Sequence, residues 1–215
     1  MASPRFYTAG AALNPTALYW APWGAKPVAV SKGDMPMPSR AVDATSANPQ
    51  VVSHLLLADG DIPNNPRLPL LLYPSAVGLA DYDPAAVFEE LFAANGWVGC
   101  WRNGIFPFHH YHSTAHEVLG IYSGTAQVQL GGEKGVTLTL SPGDVAIIPA
   151  GVGHKKLSAS GALGVVGAYP RGQQPDICRG DSVSCQSAAQ QVARVCVPGR
   201  DPVYGLGGPL CSYWA

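Results

Sequence analysis

Charge is what this chain has least of. Only 13% of its 215 residues are charged, about half of the ~25% usual in a globular protein. The formal net charge of −1 supplies no basic field, so neither nucleic acid nor an anionic membrane surface is an expected partner. No apolar run approaches the ~20 residues that a membrane-spanning helix needs. The five cysteines (Cys100, Cys178, Cys185, Cys196 and Cys211) contain no C-x-x-C pair, which argues against a thiolate zinc site. Small thiols in a reducing compartment are their expected state, with a disulfide between tail cysteines such as Cys178 and Cys185 as the alternative.

What the chain does have is apolar residues, at 47%, together with 25 glycines and 20 prolines. Its length suits one domain with a real core, and the Gly and Pro content favours short strands joined by turns over long helices. Residues 1–50 differ from the rest. They hold no acidic residue before Asp34 and are rich in Ala, Pro and Ser, which hints at an organelle transit peptide. Sparse Arg and the aromatic trio Tyr19, Trp20 and Trp23 favour instead a partly ordered extension wrapped on the body. The expected location is cytoplasmic, with organelle targeting as the alternative.

From Val51 the pattern becomes regular. "VVSHLLLA" reads as a strand, "DGDIPNNPRLP" as a turn-rich loop and "LPLLLYP" as a second strand with Pro69 at its start. "DPAAVFEELFAANG" predicts the one helix. Asp83 is placed to cap it, Pro84 suits its first position, Val87, Phe88, Leu91 and Phe92 form one apolar face, and Gly96 ends it. Eight short runs follow: "WVGCWR", "FHHYH", "EVLGIYS", "TAQVQLG", "GVTLTL", "DVAIIP", "GHKKLS" and "LGVVGAYP". Such runs describe a small all-β sandwich or barrel spanning 51–170. Beyond Pro170 the pattern fades into a tail, 171–215, whose aromatics are expected to pack back on the body.

Four of the six histidines fall within residues 109–116. If "FHHYH" is extended, alternation sends His110 and His112 to one side and His109 and Tyr111 to the other. An H-x-H pair on an inward face is a two-point grip for a cation, because neutral imidazoles bind first-row metals through one ring nitrogen. Glu117 shares a strand face with Leu119 and Ile121, and a carboxylate in that setting needs a partner, which a cation supplies. His154 opens a later strand after a tight turn. His112 and His116 have the helical zinc spacing, but "FHHYH" is β-patterned and "HEVLG" lacks the second histidine of H-E-x-x-H. His54, alone in an apolar strand, reads as an ordinary buried or edge histidine.

These residues spell a known pattern. Gly104, five residues, His110-x-His112, four residues, Glu117, six residues and Gly124 match the first cupin motif. Gly143, five residues, Pro149-x-Gly151, two residues and His154 match the second, with Ser158 where its final Asn belongs. "IPNNPRLPLLLY", "WRNGIFPFHHYHSTAHEVLGIYSG", "GDVAIIPAGVGHK" and "DPVYG" resemble the YjlB-like cupins across residues 51–215 and leave the first fifty unmatched. The resemblance implies an RmlC-like jelly-roll β-barrel with one short helix and N- and C-terminal extensions. It implies a divalent transition metal held by His110, His112, Glu117 and His154, and a homodimer paired through its sheets. It brings no substrate.

Four ligands would complete structural zinc, whereas metals that take six leave two positions for substrate, water or dioxygen. Fe, Mn, Ni and Zn all stay open. The expected function is a metal-dependent enzyme on a small organic molecule, an oxygenase-type oxidoreductase ahead of an isomerase or lyase. The rival is a non-catalytic metal- or metabolite-binding barrel. Trp101, Phe106, Phe108, Leu119, Ile121 and Val128 are the expected pocket walls. Arg102, Tyr111, Tyr122, Lys155 and Lys156 are polar neighbours, each read more simply as solvated or outer-facing.

Overall fold

The computed structural model describes residues 45–46, 49–179 and 187–215. All belong to the second of the chain's two units, Pro38–Ala215. Expectations for Tyr19, Trp20, Trp23 and Cys185 lie outside the described residues.

Among the described residues, seven strands and three helices follow in order: β1 (Val52–Leu56), β2 (Asn65–Tyr73), α1 (Pro84–Ala94), β3 (Trp97–Asn103), β4 (Glu117–Leu130), β5 (Val136–Leu140), β6 (Val145–Ile148), β7 (His154–Pro170), α2 (Ala188–Val192) and α3 (Pro209–Tyr213). The strands pair antiparallel in the order β1-β2-β6-β4-β7-β3, with β5 added beside β4. This is an all-β jelly-roll barrel. It departs from the eight short runs in two ways. "EVLGIYS" and "TAQVQLG" merge into β4, "GHKKLS" and "LGVVGAYP" merge into β7, and the irregularities between them survive as register shifts at Ile121–Ser123 and Ser123–Thr125. "FHHYH" forms no strand; it makes only single bridges, His110 to His154 and Tyr111 to Cys178.

Apolar burial on both faces explains the run-like character of β2, β4 and β6. Leu70, Leu72, Leu119, Ile121, Ala146 and Ile148 fill the barrel interior. Their sequence neighbours Leu71, Tyr73, Val118, Val145 and Ile147 face outward into a second core with Phe88, Phe92, Trp97 and Trp214. Helix α1 and the tail therefore cover a face of the sheet that would otherwise be exposed. β2 begins at Asn65, so Pro69 lies inside the strand rather than at its start. The β1–β2 register breaks between His54 and Leu56, and a bulge is where a sheet tolerates a missing N–H.

Helix α1 buries Ala85, Phe88, Leu91 and Phe92, with Pro84 in its first turn, and Gly96 follows its end at φ 81. Asp83 does not cap it: the residue is left-handed and its side chain makes no capping hydrogen bond. Arg102 takes that carboxylate instead, at 2.7 Å, and holds Glu89 at 2.7 Å as well. A forked guanidinium outcompetes two orphan amides for the same oxygens. The expectation of one helix is met by α1 in the body, and two five-residue helices, α2 and α3, are added in the tail.

The tail is fastened by a buried carboxylate. Asp201 is 0% exposed and accepts the Tyr73 hydroxyl at 2.7 Å and the amides of Val203, Tyr204 and Leu210 at 2.8–3.0 Å. Trp214 donates its indole N–H to the Pro69 carbonyl at 2.8 Å. Cys178 is disulfide-bonded, which corrects the free-thiol expectation for that residue, while Cys100, Cys196 and Cys211 are free.

Candidate metal centre

Three elements converge at one end of the barrel interior. The loop between β3 and β4 brings His110 and His112, the first residue of β4 is Glu117, and the first residue of β7 is His154. Although the loop is not a strand, it is zipped to the chain entering β7. His110 and His154 exchange backbone hydrogen bonds at 3.2 and 2.9 Å, and the Gly151 amide donates to the His112 carbonyl at 2.8 Å. Gly151 has φ 89, a conformation that suits glycine and lets the turn before His154 face the loop. The extended bridging keeps the alternation of side chains, so His110 and His112 point to one spot.

Their nitrogens, with that of His154, lie within 4.8 Å of one another. The Glu117 carboxylate stands 3.3 Å from His112 Nε2 and 3.2 Å from His154 Nε2. Ligands bound side by side at ~2.1 Å from one ion lie roughly 3 Å apart, so the spacing suits a shared cation. All four residues are buried, and both His112 Nε2 and Glu117 Oε2 lack a hydrogen-bond partner. Buried polar atoms are seldom left this way without a further occupant.

The other ring nitrogens explain the orientation. His110 Nδ1 faces the Phe108 carbonyl at 3.4 Å, His154 Nδ1 faces the Val152 carbonyl at 3.2 Å, and His112 Nδ1 is hydrogen-bonded to the Asp176 carbonyl. A carbonyl only accepts, so each neutral ring carries its proton on Nδ1 and turns a free Nε2 lone pair to the centre. Burial and the neighbouring His154 push His110 down to about 3. Burial also pulls on His112, but the Glu117 charge outweighs it and leaves that histidine raised. For Glu117, burial alone would raise the carboxyl; His112 and His154 instead hold it well below the usual range. A carboxylate this buried calls for positive charge, and a divalent cation meets that need better than a shared proton.

The remaining histidines stand apart. His109 points away to Glu133, 3.5 Å distant. His116 is fully buried, accepts the Ala150 amide on Nδ1 at 2.9 Å and packs on Trp214, and burial pushes it down to about 4. His54 sits on β1 opposite Leu70.

Above the centre lies a cavity of about 250 Å³, walled by Trp101, Ile105, Phe106, Leu119, Pro175 and Ile177. Of the expected walls, Trp101, Phe106 and Leu119 line it. Phe108 instead stacks behind Phe106, and Ile121 and Val128 are sealed in the interior core. None of Arg102, Tyr111, Tyr122, Lys155 and Lys156 lines the cavity. Lys155 pairs with Glu133 at 2.6 Å, Tyr111 is buried beneath Cys178, and Tyr122 packs on the outer core. Apart from the four clustered residues, Asn103 and Tyr169 are the polar side chains on the wall. Tyr169 was not foreseen, though Val165, Gly167 and Tyr169 alternate along β7 on the parity of the interior. The tail segment 173–178 was missed too. Its Asp176 carboxylate accepts the Ser113 amide at 2.6 Å and the Thr114 hydroxyl at 3.0 Å, which lays Pro175 and Ile177 over the cavity.

The cupin domain family matches residues 101–161, the stretch that holds all four clustered residues. The uncharacterized protein YjlB of Bacillus subtilis (strain 168) is 42% identical over 159 residues, covering 73% of this chain and 92% of its own. The chain belongs to the YjlB-like cupins. Among solved structures this YjlB-like cupin matches acireductone dioxygenase from Bacillus anthracis with a cadmium ion in its active centre. That match has 20% identity and TM-score 0.34, and covers 46% of this chain and 70% of the other. It also matches the epimerase RmlC from Legionella pneumophila at 16% identity and TM-score 0.29, over 56% of this chain and 71% of the other. No helix among the described residues is long and apolar enough to cross a membrane.

Proposed function

We propose that this YjlB-like cupin is a metal-dependent enzyme acting on a small, largely uncharged organic molecule, with His110, His112, Glu117 and His154 as the ligands of one divalent transition metal. The observation that carries the reading is the convergence of three carbonyl-oriented imidazoles and one buried carboxylate on the floor of an apolar cavity. Four protein ligands leave two positions on an ion that prefers six, and a metal with open positions polarises or activates what binds there. The chain's own residues supply the rest. Trp101, Phe106, Leu119 and Ile177 exclude water and hold an apolar body, and Glu117 lowers the net charge of the centre.

An oxygenase-type oxidoreductase is favoured over an isomerase or lyase. Moving a proton between carbon atoms needs an acid–base pair poised near neutrality, and the cavity wall offers only Asn103 and Tyr169 beyond the four clustered residues. Burial and the nearby Glu117 charge push the Tyr169 hydroxyl above its ordinary range, so it stays protonated at neutral pH and gives up its proton reluctantly. The test is dioxygen uptake by the Fe(II)-loaded protein against thiols, catechols and β-diketones. Consumption with one class supports the oxygenase, and silence across the panel favours the non-catalytic barrel. A homodimer belongs to the same proposal. Among the described residues β1 pairs with β2 alone; it carries exposed Leu55, with exposed Leu57 just after its end, and light scattering of the purified protein would give its mass.

A further inference from the structure

A second cavity, of about 400 Å³, opens where the start of β3, the end of β7 and the tail meet. It shares no lining residue with the cavity above the metal centre. Its walls are pinned together through the backbone. The Arg171 amide donates to the Gly96 carbonyl at 2.9 Å, and the Trp97 indole N–H donates to the Arg200 carbonyl at 3.0 Å. Arg171 and Arg200 thus reach the cavity from two separate segments, each rooted against the junction of α1 and β3.

Charge sets this cavity apart. No acidic side chain lines it. Elsewhere Arg102 lies between Asp83 and Glu89, and Lys155 lies on Glu133. The side chains of Arg171 and Arg200 have no hydrogen-bond or ion-pair partner among the described residues. Asp201, next in the chain, is buried and already accepts from Tyr73 and three amides. The other polar side chains of the wall are engaged as well. Asn95 donates its amide to the carbonyls of Pro202 and Val203, while Gln173 accepts the His116 amide and donates to the Cys196 carbonyl. What the cavity presents to a ligand is two guanidinium groups, which only donate and always carry charge.

We infer that this cavity binds a small organic oxyanion, a phosphate or a carboxylate, between Arg171 and Arg200. A planar guanidinium matches the paired oxygens of either anion, and a concavity lined by one sign of charge concentrates the other. Pro170, Val197 and Pro198 supply apolar surface for the ligand's carbon skeleton. The site is independent of the metal reading and stands or falls apart from it.

Cys196 lines the same cavity and is a free, exposed thiol, so its reactivity reports occupancy. The full chain is alkylated with iodoacetamide, an uncharged reagent, and modification of each cysteine is followed by mass spectrometry. Phosphate, succinate and, at matched ionic strength, sodium chloride are compared. Phosphate or succinate should slow alkylation of Cys196 several-fold and leave Cys100, outside the cavity, unchanged. Protection by phosphate alone assigns a phosphorylated ligand, and protection by succinate alone assigns a carboxylate. Arg171→Ala and Arg200→Ala remove exposed side chains and keep the backbone bonds, so both should retain the wild-type circular dichroism. Each should raise the half-protecting concentration roughly tenfold, the loss of a charge-assisted hydrogen-bonded pair. No protection by either anion, equal protection by chloride, or undiminished protection in the double variant overturns the inference.

Discussion

His112 Nδ1 is hydrogen-bonded to the main-chain carbonyl of Asp176, sixty-four residues further along the chain. A histidine of the first cupin motif is thus aimed by the tail. The Asp176 side chain holds that carbonyl in place through Ser113 and Thr114, which lie just after the histidine. Asp176→Ala should free the segment while leaving the barrel folded. The loss of an outer partner of a ligating histidine weakens metal binding by roughly 10–100-fold, and competition with a coloured chelator would measure it. Wild-type affinity in the variant would show that the tail is cover rather than support.

The proposed ligands are separable from their neighbours. His110→Ala, His112→Ala, Glu117→Ala and His154→Ala should each sharply lower metal content by elemental analysis. His109→Ala should leave it near wild type, since that ring faces Glu133. His116→Ala should also keep its metal but lose about 2–3 kcal/mol of stability, because removing the buried ring leaves a cavity and the Ala150 amide without its acceptor. Equal metal loss in all six variants would contradict the assignment.

How much of this centre was legible in the sequence follows from the range of each interaction. Spacing and parity pointed to His110, His112, Glu117 and His154, because side-chain alternation needs only an extended backbone. The bridges to His154 and Cys178 keep it extended without a strand. The helix was legible as well, from its Phe88, Leu91 and Phe92 face, but not its cap. The local rule placed Asp83 on orphan amides, and Arg102 from β3 took it. Tyr169 and Asp176 escaped for the same reason. Each matters through a partner 63–68 residues away, Ser113 or Trp101, and nothing in a local pattern encodes that distance. Tyr111 and Tyr122 attracted notice by proximity in sequence, whereas β7 parity was the signal that would have found Tyr169.

Asp201 is the fastening of the tail, and its four hydrogen bonds make it a sensitive site. Asp201→Ala leaves three buried amides and a hydroxyl without an acceptor, a loss of about 3–5 kcal/mol. Tyr73→Phe removes one of those bonds and should cost about 1 kcal/mol. Thermal melts of the two single variants and the double give the coupling. Additive losses would mean that the pair does not act as one unit.

Metal should raise the melting temperature by mass action, since it binds the folded state through residues from separate elements. A chelator should lower that temperature without unfolding the protein at room temperature, because two apolar cores, one on each face of the sheet, remain intact. An apo protein disordered by circular dichroism would make the metal structural and weaken the enzyme reading.

Elemental analysis of protein purified without a tag tests the central claim most directly. The account predicts close to one equivalent of a divalent transition metal per chain, lost in the His110→Ala and His154→Ala proteins while both stay folded. Wild-type protein that carries no metal, and takes up none when dialysed against Fe(II), Mn(II), Ni(II) or Zn(II), would contradict it.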